Sequence, residues 1–242
     1  MTQDSSSKLL IICPCFNEAE TIGGLIAEIE ALNEDFDILV VDDGSTDGTY
    51  EAAASKSMTV RLPVNLGVGG AVQTGYRYAV RHNYQYAIQI DGDGQHDPAF
   101  IRPLLNVMQQ SKADLVVGTR YLEKIGFQSS FMRRSGARII GYFTLLMFGF
   151  RPSDPTSGMR LANRSLIEAF NRDYPNDYPE PLSLCFALYN GYSVKEEPVV
   201  MRDRKAGSSS IMGIKSVSYM ISIVTRICAL RITKQRRGQD AE

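Results

Sequence analysis

The 242-residue chain is 44% hydrophobic and 22% charged, with 26 Lys and Arg set against 27 Asp and Glu. That composition gives a globular protein with ample core, as one larger domain or one domain with a tail. A net charge of −1 provides no global field for polyanions, and no basic stripe with interleaved aromatics occurs, so nucleic-acid binding is set aside.

The first half alternates strand and helix signals. Residues 1–7 are polar and contain no secretory h-region. Leu9 to Cys13 is a continuous apolar run, which predicts a strand buried on both faces. Glu20 to Leu32 has helical spacing through Ile22, Leu25, Ile26 and Ile29. Ile38 to Val41 is the second buried strand, ending in the polar loop Asp42 to Gly48 that opens a short helix. Met58 to Leu62 is a third strand, Gly69 to Arg81 a helix, Tyr86 to Ile90 a fourth strand, Pro98 to Gln110 a helix, and Asp114 to Gly118 a fifth strand. This alternation predicts an α/β fold built from parallel βαβ units, with helices on both faces of the sheet. In such sheets ligands bind at the C-terminal strand ends. Asn17 and Glu18, Asp42 and Asp43, Asn65, Asp91 and Asp93, and Arg120 all fall at those ends, which predicts a functional cleft along one sheet edge.

Asp91-Gly92-Asp93 is the most informative of these clusters. Two carboxylates one residue apart at a strand end repel unless something neutralises them. A hard divalent cation does so with oxygen ligands, and Gln95 adds a carbonyl two residues on. Mg²⁺ usually keeps several waters and is completed by substrate phosphates, so the expected site is a metal held by Asp91, Asp93 and Gln95 together with a diphosphate. Mg²⁺ and Mn²⁺ both suit it. A solvated Asp/Gly turn is the plainer alternative for the same four residues.

Other chemistries have less material. Two histidines, His82 and His96, cannot build a histidine metal centre or a Ser-His relay. The four cysteines, Cys13, Cys15, Cys185 and Cys228, contain no C-x-x-C pair and are expected as buried thiols in a reducing compartment rather than as disulfides or a zinc site. Gly67-Val68-Gly69-Gly70 has Val72 where a dinucleotide fingerprint needs its third glycine, and it follows the third strand rather than the first. No Walker pattern occurs.

The second half is less regular. Ala137 to Phe150 is apolar and helical in length but too short to span a bilayer, which takes about 20 apolar residues. Ser193 to Val200 reads as a strand. Ile211 to Leu230 is apolar but interrupted by Lys215 and Arg226, and Arg231, Lys234, Arg236 and Arg237 follow it. An apolar face with a basic end suits a helix lying in an anionic membrane interface; a helix packed on the core with a basic tail fits equally.

Five segments together resemble family 2 glycosyltransferases of the GT-A fold, and within them the dolichyl- and polyprenyl-phosphate mannosyl- and glucosyltransferases. They are Pro14 to Glu18, Val41 to Thr49, Asn65 to Ala71, Asp91 to Gln95, and Gly118 to Tyr121. The resemblance covers about residues 8 to 215. It implies a Rossmann-like, largely parallel central sheet in a catalytic domain over residues 1–210, followed by a C-terminal amphipathic helix and basic tail over 211–242. It implies that Pro14, Phe16, Glu18, Val41, Asp43, Asn65, Gly92 and Arg120 serve the donor nucleotide and its phosphates, and that Asp91, Asp93 and Gln95 form the metal and diphosphate site. Asp154, within Asp154 to Arg160, matches the acceptor-side motif near the reacting sugar. Arg204 opens a loop expected to close over the donor diphosphate. Where many dolichyl-phosphate mannosyltransferases end that loop with Ser-Lys, this chain has Ser209-Ser210, so one phosphate-binding cation is missing or Lys205 substitutes for it.

The expected reaction is inverting, metal-dependent transfer of a hexose from a UDP- or GDP-sugar to polyprenyl phosphate. The expected location is peripheral, on the cytoplasmic face of the cell membrane, with a membrane protein or a second copy assisting docking. Asp93, Asp154 and Arg204 are the expected catalytic residues, and Arg133 and Arg134 are placed to hold an acceptor phosphate. Two alternatives stay open. One is extension of a lipid-linked glycan or cell-wall polysaccharide at a sugar hydroxyl, with Asp154 as base. The other is a non-catalytic nucleotide-sugar-binding accessory subunit.

Overall fold

The computed structural model describes residues 8–123, 131–202 and 220–229. Seven strands form one sheet within them: β1 (Leu9–Cys15), β2 (Phe36–Asp42), β3 (Met58–Arg61), β4 (Tyr86–Gln89), β5 (Leu115–Thr119), β6 (Arg160–Asn163) and β7 (Val194–Pro198). Their spatial order is β3-β2-β1-β4-β6-β5-β7. Neighbours pair in parallel except at β6, which runs antiparallel to both β4 and β5. The helices are α1 (Ala19–Glu30), α2 (Thr49–Ala54), α3 (Gly67–Arg81), α4 (Ile101–Ser111), α5 (Phe131–Phe148), α6 (Arg164–Arg172) and α7 (Pro179–Tyr189), with a further helix over 220–229.

Strand alternation sorts the apolar residues into two layers. Leu9, Ile11, Cys13 and Cys15 of β1 face one side with Ile38, Val40 and Ile88, under α1 and α4. Leu10 and Ile12 face the other with Leu39, Val41 and Ala87, under α3, α6 and α7. Each fully buried Leu or Ile is worth about 1.5–3 kcal/mol relative to exposure. That is why β1, with all seven residues buried, can serve as an interior strand. A third cluster joins α5 and α7 to helix 220–229 through Ile140, Leu182, Cys185, Ile223 and Ile227.

Helices on both faces of a mostly parallel sheet agree with expectation, and the element boundaries differ from it by a few residues. The helix expected from Pro98 begins as a short 3-10 turn, Pro98–Phe100, capped by Asp97, whose side chain accepts from the Ala99 amide. The helix expected from Ala137 begins six residues earlier, because Arg133, Arg134 and Ser135 are compatible with a helix although they interrupt the apolar run. Strand β6 was not expected: four residues with Arg160 and Asn163 at its ends carry no strand pattern. Its insertion matters for the site. Running against its neighbours, β6 begins at the edge where β4 and β5 end, which delivers residues 153–159 to that edge. The expected division at 210/211, the loop carrying Arg204 and the basic tail lie outside the described residues.

Helix α3 approaches the sheet through glycine. A methyl group at position 75 would sit 2.4 Å from Cγ2 of the buried Ile12. Alanine is about 1 kcal/mol better than glycine inside a helix, so a net loss on substitution would measure this contact. Gly75→Ala is expected to destabilise by about 1–2 kcal/mol through overpacking. Urea unfolding should show a lower midpoint at unchanged m-value.

Candidate active site

The loops after β1 and β2 are laced together by backbone amides. Asn17 N–H donates to Ser45 Oγ at 2.9 Å, Glu18 N–H to Thr49 Oγ1 at 2.8 Å, and Ala19 N–H to Asp47 Oδ2 at 3.1 Å. In return Asn17 Oδ1 accepts from the Thr46 amide at 2.9 Å. Asn17 holds a left-handed conformation, φ 57°, which asparagine tolerates better than most residues. Asp43 belongs to the same corner. Its amide donates to Cys15 O at 2.8 Å, and its Oδ1 accepts from the Leu66 amide at 2.7 Å, tying in the segment after β3. Burial raises the Asp43 carboxyl above the ordinary range, against the pull of the Leu66 and Gly67 amides. Phe16 and Asn65 are exposed on this corner, Glu18 accepts from the Thr21 hydroxyl, and the Val41 side chain packs in the α3-side core.

The end of β4 lies beside that corner. Gly92 N–H donates to Pro14 O at 3.3 Å, and a methyl group at 92 would meet Cys15 Sγ at 2.3 Å, so only glycine lets the turn approach β1 this closely. Asp91 is held from two sides. Gln89 Nε2 donates to its Oδ1 at 2.8 Å, and its amide donates to Nδ1 of the buried His96 at 3.0 Å, with His96 Nε2 3.7 Å from Oδ2. Asp93 Oδ1 accepts from the Gln95 amide at 3.0 Å. Gln95 also pairs with the chain beyond β7: its carbonyl accepts from the Arg202 amide at 3.0 Å, and its Nε2 donates to Arg202 O at 3.4 Å.

Facing Asp91 is the segment that β6 brings in. A methyl group at position 158 would lie 2.6 Å from Asp91 Oδ2, so Gly158 leaves the space that the carboxylate occupies. Four residues earlier, Asp154 is fully buried and forms a two-point bond with Arg120 from the end of β5: Nε to Oδ2 at 2.6 Å and Nη2 to Oδ1 at 2.9 Å. Thr156 Oγ1 donates to Asp154 Oδ1 at 3.0 Å. The Ser153-Asp154 turn is itself held by Glu196 of β7, whose Oε1 accepts from Ser153 N–H at 2.8 Å and Ser153 Oγ at 2.9 Å. Burial raises the Glu196 carboxyl. Arg160, also buried, donates to the carbonyls of Ser157 and Pro155 at 2.7 and 2.9 Å and to Ser183 Oγ at 3.0 Å, fixing the other end of the segment. Glu180, in the first turn of α7, has its carboxyl raised by burial and then by the charge of Asp91.

The fold therefore brings Pro14, Phe16, Glu18, Asp43, Asn65, Asp91, Gly92, Asp93, Gln95, Arg120 and Asp154 to one sheet edge. It also pairs Arg120 with Asp154, two residues that the sequence assigned separately to phosphate and sugar. Arg134 is half-buried in the first turn of α5, and Arg133 lies in the same turn with its side chain outside the described residues; Arg204 lies outside them altogether. Gln89, Glu180 and Glu196 have no site role in the sequence reading, and His96 and Arg160 appear there without a role of their own. Gln89 and His96 flank the Asp pair in sequence and could have been found there. Glu196 and Glu180 carry no local signal, since only the tertiary fold brings them near Asp154 and Asp91.

The site suits a divalent cation completed by a substrate. Asp91 and Asp93 offer hard oxygen donors, and the Asp91 side chain is one-third exposed toward the edge. No group of three or more His, Cys, Asp or Glu among the described residues could hold a metal ion. A cation held by Asp91 and Asp93 would take its remaining oxygens from phosphates and water, as Mg²⁺ usually does.

Comparison with known proteins agrees with this architecture. The family model for glycosyl transferase family 2 matches residues 10–170. The chain belongs to that family and is a glycosyltransferase of the GT-A fold. It is 27% identical to a polyprenol monophosphomannose synthase of Mycolicibacterium smegmatis, over 86% of this chain and 82% of that protein. It is 26% identical to an undecaprenyl-phosphate mannosyltransferase of Micrococcus luteus, over 85% and 88%. Among solved structures, it resembles glucosyl-3-phosphoglycerate synthase from Mycobacterium tuberculosis in complex with Mn²⁺, uridine diphosphate and glucosyl-3-phosphoglycerate. That likeness has a TM-score of 0.74 at 20% identity, over 93% of this chain and 81% of the other.

Asp154→Ala removes the two-point partner of the largely buried Arg120, whose Nη2 still reaches Thr156 Oγ1 at 3.2 Å. With Arg120 only 14% exposed, Asp154→Ala is expected to cost about 3–5 kcal/mol of stability. Urea unfolding measures it, and a loss below about 1 kcal/mol would show that water or another group rescues the guanidinium.

Proposed function

We propose that this glycosyltransferase moves a hexose, with inversion, from a nucleotide sugar to polyprenyl phosphate at the cytoplasmic face of the membrane, and that it depends on Mg²⁺ or Mn²⁺. The observation that carries the proposal is the meeting at one sheet edge of the Asp91–Asp93 pair with the Arg120–Asp154 pair, in a chain whose relatives bear polyprenyl-phosphate transferase names.

The laced corner of Phe16, Glu18, Asp43 and Asn65 offers a pre-formed surface for the nucleoside. Asp91 and Asp93 would hold the cation, with Gln95 beside them, and when bound it would neutralise charge developing on the departing diphosphate. Guanidinium groups suit phosphate oxygens, which makes Arg120 and Arg204 the proposed partners of the anionic groups. Asp154 accepts from Arg120 through both oxygens and from Thr156 as well. Fully buried and with both oxygens turned to Arg120, this carboxylate is not presented to an incoming hydroxyl, and this favours an acceptor that arrives already anionic. A lipid phosphate meets that condition and needs little base catalysis. Arg133 and Arg134, in the first turn of α5, supply cations for it. Attack on the anomeric carbon from the side opposite the diphosphate inverts the sugar centre.

The test is a donor-by-acceptor assay. Purified chain with Mn²⁺ or Mg²⁺, UDP-glucose, UDP-galactose, UDP-GlcNAc or GDP-mannose, and short-chain polyprenyl phosphate in detergent should yield a glycosyl phospholipid from one donor. EDTA should abolish the product, and Asp93→Ala should lower the rate at least a hundredfold. Donor turnover without lipid product would move the acceptor to a saccharide. A separate binding measurement isolates the metal. Gly158→Ala, which crowds Asp91, should weaken Mn²⁺ binding in the presence of UDP about tenfold or more by titration calorimetry, within the range seen when groups supporting metal ligands are disturbed.

A further inference from the structure

Helix α5 is apolar on the wrong side. A surface helix ordinarily turns one apolar stripe to the core and a charged face to water. The inward stripe of α5 is present: Gly136, Ala137, Ile140, Gly141 and Thr144 are buried. The outward face carries a second stripe. Ile139, Tyr142, Leu145 and Leu146 follow one another at helical spacing and are exposed, Leu146 to 73% and Tyr142 to 55%. Single exposed apolar residues need no explanation, whereas a contiguous ridge of four marks a surface that something covers.

The charges around the ridge indicate what covers it. Helix α5 carries no carboxylate, and Arg134, Arg138 and Arg151 are the cations described on it and just after it. Arg138 is exposed beside Ile139, and the Arg151 guanidinium lies 4.2 Å from the centre of the Tyr142 ring. A second copy docked through the same helix would set these cations against one another, with no acid on α5 to pair them. An anionic bilayer offers both an apolar interior and negative headgroups, the combination that interfacial helices with basic rims recognise. Helix α5 also abuts the site. A methyl group at Gly141 would meet Pro152 O at 2.8 Å, and Pro152 leads into the Ser153-Asp154 turn.

We infer that the Ile139–Tyr142–Leu146 ridge of α5 is a docking surface for an anionic bilayer, set so that a lipid-borne phosphate reaches the Arg120–Asp154 edge from the membrane. This rests on the proposed lipid acceptor, but it is tested without one.

The experiment is sedimentation of the full chain with vesicles of phosphatidylglycerol and phosphatidylcholine, against pure phosphatidylcholine, at low and high salt. Binding to the anionic vesicles, weakened by salt and reduced at least tenfold by Leu146→Glu, is the expected result. The chain contains no tryptophan, so Leu146→Trp supplies a single reporter whose emission should shift to the blue on anionic vesicles. Wild-type binding that Leu146→Glu leaves unchanged overturns the inference, as does no vesicle binding at all, or a self-associated wild type made monomeric by Leu146→Glu. Detergent assays of the same variant with short-chain acceptor report separately on the reaction. Full transfer with lost vesicle binding supports the surface, while docking without transfer faults the acceptor assignment alone.

Discussion

The site depends on one buried contact, the two-point bond between Arg120 and Asp154. It joins the end of a parallel strand to the segment preceding the antiparallel one, so two stretches 34 residues apart in sequence present a common wall. Both charges are largely withdrawn from water, and such a pair persists only where geometry is good and remaining lone pairs are met. Thr156 and the Glu196-held turn meet those needs. Glu196 thus acts at one remove: it shapes the turn, the turn aims Asp154, and Asp154 fixes the guanidinium plane of Arg120.

The second constraint is like-charge repulsion at the end of β4. Asp91 and Asp93 share one turn, and the structure separates their duties through different supports. Asp91 rests on Gln89 and His96, two buried side chains that cost desolvation and are compensated by their bonds to it. Asp93 folds back on the Gln95 amide. Two adjacent acids without such supports would read as a solvated turn, and the buried scaffold beneath Asp91 argues for a group meant to be held still.

Much of this was legible in the chain. Strands β1, β2 and β4 announced themselves because both faces are buried, which leaves unbroken apolar runs, and the polar residues at their ends followed from parallel pairing. What stayed hidden had physical causes. Strand β6 is short and bounded by Arg160 and Asn163, so its place between β4 and β5 is decided by tertiary pairing and leaves no periodicity. Arg120 and Asp154 were each noticed, but separation in sequence concealed that they bind each other. Glu196 and Glu180 lie in stretches whose composition resembles any surface strand or helix start. The ridge on α5 was concealed differently: its apolar content was plain, and only the fold tells which side meets the core.

The lacing between the loops after β1 and β2 carries a consequence for how this corner can change. Its hydrogen bonds run mostly from the backbone of one loop to the side chains of the other, so neither loop is a self-contained module. Transplanting residues 16–19 from a relative without Asn17 would remove one acceptor, that of the Thr46 amide. Transplanting 43–49 would remove Ser45, Asp47 and Thr49, the acceptors for three amides of the neighbouring loop. Loop exchange in this protein is thus asymmetric, three bonds lost in one direction against one in the other, and the loop after β2 is the more costly of the two to replace.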